Sequence, residues 1–533
     1  MTKKQVGVLT LLALAAFFLA ALTSQRLWFR LDLTEGKSYT ISKASKELYK
    51  EIPEQVLITY YLSERLVKVH PVPAEIEDLL REYAAYSRGR IRVVVQDPVK
   101  AGTVAAAERL GVAPQQIQTM ERDESSIATV YTGIVVEYLG RTETIPTVFS
   151  LDMLEYDLTS RIRSVVRGTT RSIGVIVASG GKTLQSDFPY VERALVSAGF
   201  GLREVAVGAE IPEGLSALFV FGGAKDLDAW ALYRIDRYIR AGGRVLFATE
   251  GVSVDSRGDL SATPVGDSLL LDLLETYGVR VERQLALDMA ALTLPFQTRS
   301  PQGGLQVRLL RYPHWIALLE RYADKRHAVT SRFPGLDVFW ASPLKVEARQ
   351  GVTAEILAST TEDAWRMTND FQVNPELPEL FSKEAAATKG SVPLVAALSG
   401  VFPSAFVGKP KPTRPGSAET LPDMSENAAE TRVLVVGDED FASALIQYSR
   451  SERNLDFLLS AADWLASDDD LVAIRSRAFR DTRLDAISDP AERERAIFGA
   501  QFVNVVAVPV VVVVFGILRA VRRRKEEKHA VST

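Results

Sequence analysis

Three short stretches carry residue types able to do chemistry, and each follows an apolar run that reads as a strand. The first is Ser179-Gly180-Gly181-Lys182-Thr183, after Ile173 to Ala178. A Gly-Lys-Thr run opening a helix cradles phosphate with backbone N–H groups and neutralises it with the lysine. The full motif needs a glycine where this chain has Ile176, and the next convincing helix begins beyond Pro189. The simpler reading is a polar loop at the end of a buried strand. The second stretch, Asp438-Glu439-Asp440, follows Val433 to Val436 at the carboxyl end of a strand, the edge where open α/β sheets bind ligands. Hard oxygens there could hold Mg²⁺ or Ca²⁺, with Asp438 and Asp440 as candidate metal ligands. Three adjacent acids cannot all point one way, and a solvated loop is the simpler expectation. Asp468, Asp469 and Asp470 read as a surface turn.

The third stretch is the turn Phe247-Ala248-Thr249-Glu250-Gly251, with Gly222-Gly223 and Gly242-Gly243 at neighbouring turns. Class I glutamine-amidotransferase-like sheets carry a nucleophile on such a turn. Here threonine and glutamate stand where a cysteine would be needed, and no Gly-x-Ser-x-Gly elbow replaces it. The glycines are more simply turn residues that need positive φ. Of the four histidines, His529 lies in the tail, and His70, His314 and His327 sit in no recognisable pairing with a nucleophile. Cysteine is absent, which excludes disulfides, thiolate metal sites and cysteine nucleophiles together. A net charge of −4 gives no reason to propose nucleic acid. Trp230, Trp315, Trp340, Trp365 and Trp464 could line a sugar or peptide groove, although scattered tryptophans are more often core or domain contacts. No catalytic residue and no cofactor site follows from these patterns.

The elements that would position these residues divide into two α/β regions. In the first, residues 26–166, Ser42 is a plausible N-cap for a short helix through Leu48 and Tyr49. Val56 to Leu62 is β-rich, and Ala74 to Tyr86 has Ile76, Leu79, Leu80 and Tyr83 at helical spacing. Ile91 to Val95 is a second strand, and Val104 to Leu110 is helical up to Gly111. Gly133 to Tyr138 then turns at Leu139-Gly140-Arg141 into a strand through Ile145. That order predicts a thioredoxin-like fold, and without Cys-x-x-Cys it would serve as a scaffold or binding module.

Arg167 to Arg171 connects to a second α/β region, residues 167–470. Ile173 to Ala178 has the unbroken apolar pattern of a strand covered on both faces. Strands near Val205, at Ala217 to Phe221 and at Arg244 to Thr249 alternate with helices at Tyr190 to Ser197 and Leu227 to Arg240. Further strands are expected at Val279 to Val281, Asp337 to Trp340, Thr353 to Ala358, Pro393 to Leu398 and Arg432 to Val436. The alternation predicts a mostly parallel sheet of flavodoxin- or amidotransferase-like type. Between Pro403 and Glu430 lies an expected mobile loop, 403–430, with no apolar periodicity.

Both ends read as membrane-directed. Ala496 to Leu518 is an uncharged run of 23 residues, long enough as a helix to cross a hydrocarbon core of roughly 30 Å. Gln5 to Gln25 is an uncharged run of 21 residues. Lys3 and Lys4 precede it, and Arg519 with Arg522, Arg523, Arg524 and Lys525 follows the second run. The positive-inside rule then puts both termini in the cytoplasm. The expected organisation is a tip and helix over 1–25, the two α/β regions, a juxtamembrane segment over 471–495, a helix over 496–518 and a basic tail over 519–533. The bulk would be periplasmic, held at the cell inner membrane. A cleaved signal peptide is the rival reading of the first run, although Ala20 to Gln25 offers no clean small-x-small site.

The segment Asp32-Leu33-Thr34-Glu35-Gly36-Lys37-Ser38-Tyr39-Thr40-Ile41-Ser42 after the first run resembles the start of the gliding-motility GldG family, auxiliary components of ABC-type transport systems. Ile235 to Leu246, Arg432 to Asp440, Asn454 to Leu459 with Asp463-Trp464-Leu465, and the closing apolar run extend the resemblance in order over nearly the whole chain. It implies a noncatalytic, membrane-anchored partner of an ABC permease and ATPase, contacting cargo or an envelope protein or polysaccharide, with a middle domain similar to one in intraflagellar-transport proteins. None of its motifs is catalytic. Two other readings stay open: a tethered periplasmic polysaccharide- or peptide-binding module, and a degenerate amidotransferase-like hydrolase that would depend on Glu250 or Asp438.

Overall fold

The computed structural model describes residues 41–466, apart from 122–123, 152–153, 169–170, 300–304, 332, 425–427 and 450–451, together with Arg495. The first helix among the described residues is α1 (Lys43–Leu48), capped by Ser42, whose hydroxyl accepts the Ser45 N–H at 3.1 Å. Strands β1 (Val56–Leu62) and β2 (Ile91–Gln96) run parallel, which requires a crossover, and helix α2 (Val72–Tyr86) supplies it. Its Ile76, Leu79, Leu80 and Tyr83 are buried, as their helical spacing predicts. Strands β3 (Thr132–Tyr138) and β4 (Arg141–Ile145) complete a four-stranded sheet in the order β2-β1-β3-β4, with β3 antiparallel to both neighbours. Helix α3 (Leu154–Arg167) closes this lobe, and the Thr159 and Tyr83 hydroxyls share a buried hydrogen bond of 2.8 Å. A hairpin of Gln115–Glu121 with Glu124–Val130, not expected from the sequence, stands apart from the sheet.

The second lobe is built on a seven-stranded sheet. Its strands are β5 (Ser172–Ala178), β6 (Gly201–Glu204), β7 (Ala217–Gly222), β8 (Val245–Ala248), β12 (Val352–Ser359), β13 (Pro393–Gly400) and β14 (Thr431–Val436), in the order β12-β13-β14-β8-β7-β5-β6. The five strands from β14 to β6 are parallel to one another. Strand β13 is antiparallel to both β12 and β14, so the sheet is mixed. Both faces are covered, which is why β7 and β8 are unbroken apolar runs. Helices α4 (Val191–Ser197) and α7 (Arg453–Ala466) pack on Phe219 and Phe221, and α5 (Ala229–Arg240) and α6 (Leu269–Tyr277) pack on Leu218 and Val220. Successive β7 residues thus feed opposite cores, the period of two that a strand imposes.

Strands β9 (Ala291–Arg299), β10 (Leu305–Leu318) and β11 (Leu336–Phe339) form a separate antiparallel sheet in that order. Strand β11 pairs with β10 only over Trp315–Leu318, leaving the outer part of β9–β10 as a two-stranded ribbon. The segment expected to be a mobile loop, 403–430, is pinned at Leu421, which is buried beside Trp230 and Tyr233.

The expected fold class needs correction. The described chain is a mixed α/β structure, and no helix among the described residues is long and apolar enough to cross a membrane. Its longest helix is the amphipathic α2 of 15 residues, shorter than the roughly 20 apolar residues a span requires. The two stretches expected to span, Gln5 to Gln25 and Ala496 to Leu518, lie outside the described residues, as do Lys3, Lys4, Arg522, Arg523, Arg524 and Lys525. The second correction is the antiparallel pair at the sheet edge: the apolar pattern of a buried strand is the same in either direction.

Candidate functional site

The carboxyl ends of β5, β7, β8 and β14 converge on one edge of the large sheet and bring together all three stretches singled out in the sequence. Lys182, on the loop after β5, donates from Nζ to Glu439 Oε1 at 2.8 Å and to Asp440 Oδ1 at 2.7 Å. Ser179 Oγ donates to the same Glu439 oxygen at 2.6 Å. Asp438 turns inward: Oδ2 accepts the Phe339 N–H at 2.8 Å and Oδ1 the Asp440 N–H at 2.7 Å. Asp438, Glu439 and Asp440 are 2%, 6% and 8% exposed, so the acids expected on a solvated loop are buried. Their burial is tolerated because a cation and hydrogen-bond donors meet them.

Backbone proximity builds this edge. Gly222 has φ +82°, and a Cβ there would lie 2.5 Å from the Ala178 carbonyl oxygen, so the turns after β5 and β7 close against each other only through glycine. A Cβ on Gly437 would lie 2.1 Å from the Ser342 carbonyl oxygen, which lets the chain after β11 pass against the start of the acidic run.

One lysine thus pairs with Glu439 and Asp440 and lies close enough to Glu250 to act on its charge. Burial opposes the charge on Lys182, but Asp440 and Glu439 outweigh it and raise its pKa, so it stays an ammonium. Glu250, on the turn after β8, is partly exposed as a residue. Burial of its carboxyl, then the nearby Glu439 and Asp440, raise its pKa well above the ordinary range. Burial and Asp440 do the same to Asp438. The edge therefore combines an ion-paired centre with carboxyls whose pKa values burial and like charges push upward.

This arrangement is poorly suited to phosphate. Lys182 is occupied by carboxylates, and the Gly180 N–H donates at 3.1 Å to Asp226 rather than pointing at an open anion site. Thr183 caps a single helical turn, Leu184–Asp187, earlier than the helix expected beyond Pro189. The candidate metal ligands Asp438 and Asp440 spend oxygens on Phe339, Asp440 and Lys182, and among the described residues no three His, Cys, Asp or Glu side chains are grouped to hold a metal.

The described histidines lie elsewhere, and His529 is outside the described residues. His70 is exposed, and His327 meets the Trp464 ring edge-on at 4.9 Å. His314 is buried between Tyr312 and Phe381, and burial lowers its pKa to about 3 over the opposing backbone contact with Gln372. Trp315, Trp340 and Trp365 belong to the same aromatic core, with Trp340 Nε1 donating to the Tyr312 hydroxyl at 3.0 Å and Trp365 Nε1 to the Phe381 carbonyl at 2.7 Å. Sequence reasoning named Lys182 and the acids separately but not their pairing. The hint available was a lone lysine after one buried strand and an acidic run after another.

Residues 170–461 match a family described as an ABC-type uncharacterized transport system, and residues 35–137 match a domain of unknown function. An uncharacterized protein of Borreliella burgdorferi is 26% identical over 548 residues, covering 98% of this chain and all of the relative. Among solved structures, the mmIFT52 N-terminal domain aligns at 13% identity with a TM-score of 0.33, covering 55% of this chain and 98% of that one. A ThuA-like protein from Parabacteroides merdae aligns at 11% identity with a TM-score of 0.28, covering 56% of this chain and 91% of that one.

Proposed function

This chain belongs to the ABC-type uncharacterized transport system family, as an auxiliary component of such a system, and from that premise we propose that it is a noncatalytic subunit assembling with the permease and ATPase. The observation that carries the noncatalytic reading is the Lys182–Glu439–Asp440 centre. The sheet edge where an α/β enzyme would present a nucleophile or a phosphate cradle is filled by internal ion pairs. The turn after β8 carries Thr249 and Glu250, with neither a cysteine nor a serine where a nucleophile would stand. In this reading the α/β body works by contact, with cargo or an envelope partner, on the extracytoplasmic side of the inner membrane.

Affinity purification of the full chain after gentle detergent solubilisation tests the assembly. Recovery of a multi-span permease and its ATPase in fixed ratio is the expected result, and a monodisperse chain without either subunit overturns it. Protease added to spheroplasts tests the location: digestion of the body without lysis is expected, and protection until lysis refutes it.

A further inference from the structure

We propose that the outer part of the β9–β10 ribbon docks on an anionic lipid surface as a peripheral contact. From Met289 to Leu319 the sequence contains Arg299, Arg308 and Arg311 and no Asp or Glu, although the whole chain carries a net charge of −4. Val307 and Leu309 are 65% and 70% exposed. Pro295 pairs with Leu309 and Thr293 with Arg311, so Thr293, Pro295, Val307, Leu309 and Arg311 share one face of the ribbon, all of them exposed. Arg308, on the other face, is exposed as well, so the ribbon stands clear of the body at this level.

The base of the same ribbon is rigid. Trp315 meets Phe339 edge-on at 4.9 Å and Trp340 at 5.4 Å, and Tyr312 donates to the Val373 carbonyl. A firmly seated ribbon carrying two exposed apolar side chains with arginines beside them fits a bilayer interface, where apolar groups enter the acyl boundary and cations meet lipid phosphates. A protein partner fits less well. Two exposed apolar side chains fall far short of the roughly 800 Å² per partner of a stable interface. Pro295 lacks the N–H that strand addition along β9 would require. The proposal stands independently of whether the permease co-purifies.

The absence of cysteine allows the full chain to be labelled at one position. Leu309→Cys would carry an environment-sensitive fluorophore, with Val196→Cys, exposed on α4, as the control site. Phosphatidylglycerol vesicles containing a lipid-borne quencher should blue-shift and quench the label at 309 but not at 196. Phosphatidylcholine vesicles should quench neither, and Arg308→Glu with Arg311→Glu should abolish the effect at 309 while leaving the thermal melt unchanged. An unquenched label at 309, equal quenching by both lipids, or quenching that survives the charge reversal overturns the proposal.

Discussion

Lys182 donates to Glu439 at 2.8 Å although 257 residues separate them in the chain. The pair joins the loop after β5 to the loop after β14 across two intervening strands, so it ties the carboxyl edge of the sheet together. Lys182→Met leaves buried carboxylates without their cation and should cost about 3–5 kcal/mol. Urea unfolding of the variant checks this, and adding Glu439→Gln and Asp440→Asn should recover part of the loss.

Glu250 predicts a loss of stability with rising pH. Its folded-state pKa is raised well above the ordinary 4.5, so between those values the folded chain holds a proton that the unfolded chain has released. Stability from this group is full below the unfolded pKa and is lost as pH rises through the folded one. Glu250→Gln should flatten the alkaline decline in urea midpoint measured between pH 5 and pH 9.

His314 predicts the opposite slope. Its pKa falls from 6.5 to about 3 on burial, so the unfolded chain takes up a proton first as pH drops. Its contribution is full above the unfolded pKa and is lost below it, by about 1.4 kcal/mol per pH unit within that window. His314→Phe should reduce the acid destabilisation seen in thermal melts between pH 6 and pH 4.

Asn454 fastens α7 to β11 and to the loop after β14. Its Oδ1 accepts the Asp337 N–H at 2.9 Å, and its Nδ2 donates to the carbonyls of Asp337 at 2.7 Å and Phe441 at 2.6 Å. Asn454→Leu strands buried backbone groups, each worth about 1–3 kcal/mol. Hydrogen exchange should show loss of protection centred on Leu336–Phe339.

Gly222 is the geometric keystone of the site. Gly222→Ala forces a Cβ against the Ala178 carbonyl at positive φ and should cost about 1–3 kcal/mol. The loss should appear as a lowered melting temperature, with the Ser179 amide exchanging faster than in the wild type.

What the sequence determined by itself is what depends on near neighbours. Apolar spacing marked α2 and the strands of the four- and seven-stranded sheets, Ser42 marked the cap of α1, and the absence of cysteine removed whole classes of chemistry. Strand direction was invisible, because β12 and β13 carry the same residue types whichever way they run, and in the β9–β10 ribbon the alternation Leu305-Gln306-Val307-Arg308-Leu309 leaves Val307 and Leu309 exposed, so it marks no face of a core. Only the tertiary structure decided the state of the acids. Asp438, Glu439 and Asp440 read as solvated until a lysine from far earlier in the chain, brought in by glycine turns that admit no side chain, met them within a buried edge. The physical reason is range: helical and strand periodicity is set within a few residues, whereas the charge state of a buried carboxyl is set by whichever groups the fold carries to within a few ångströms of it.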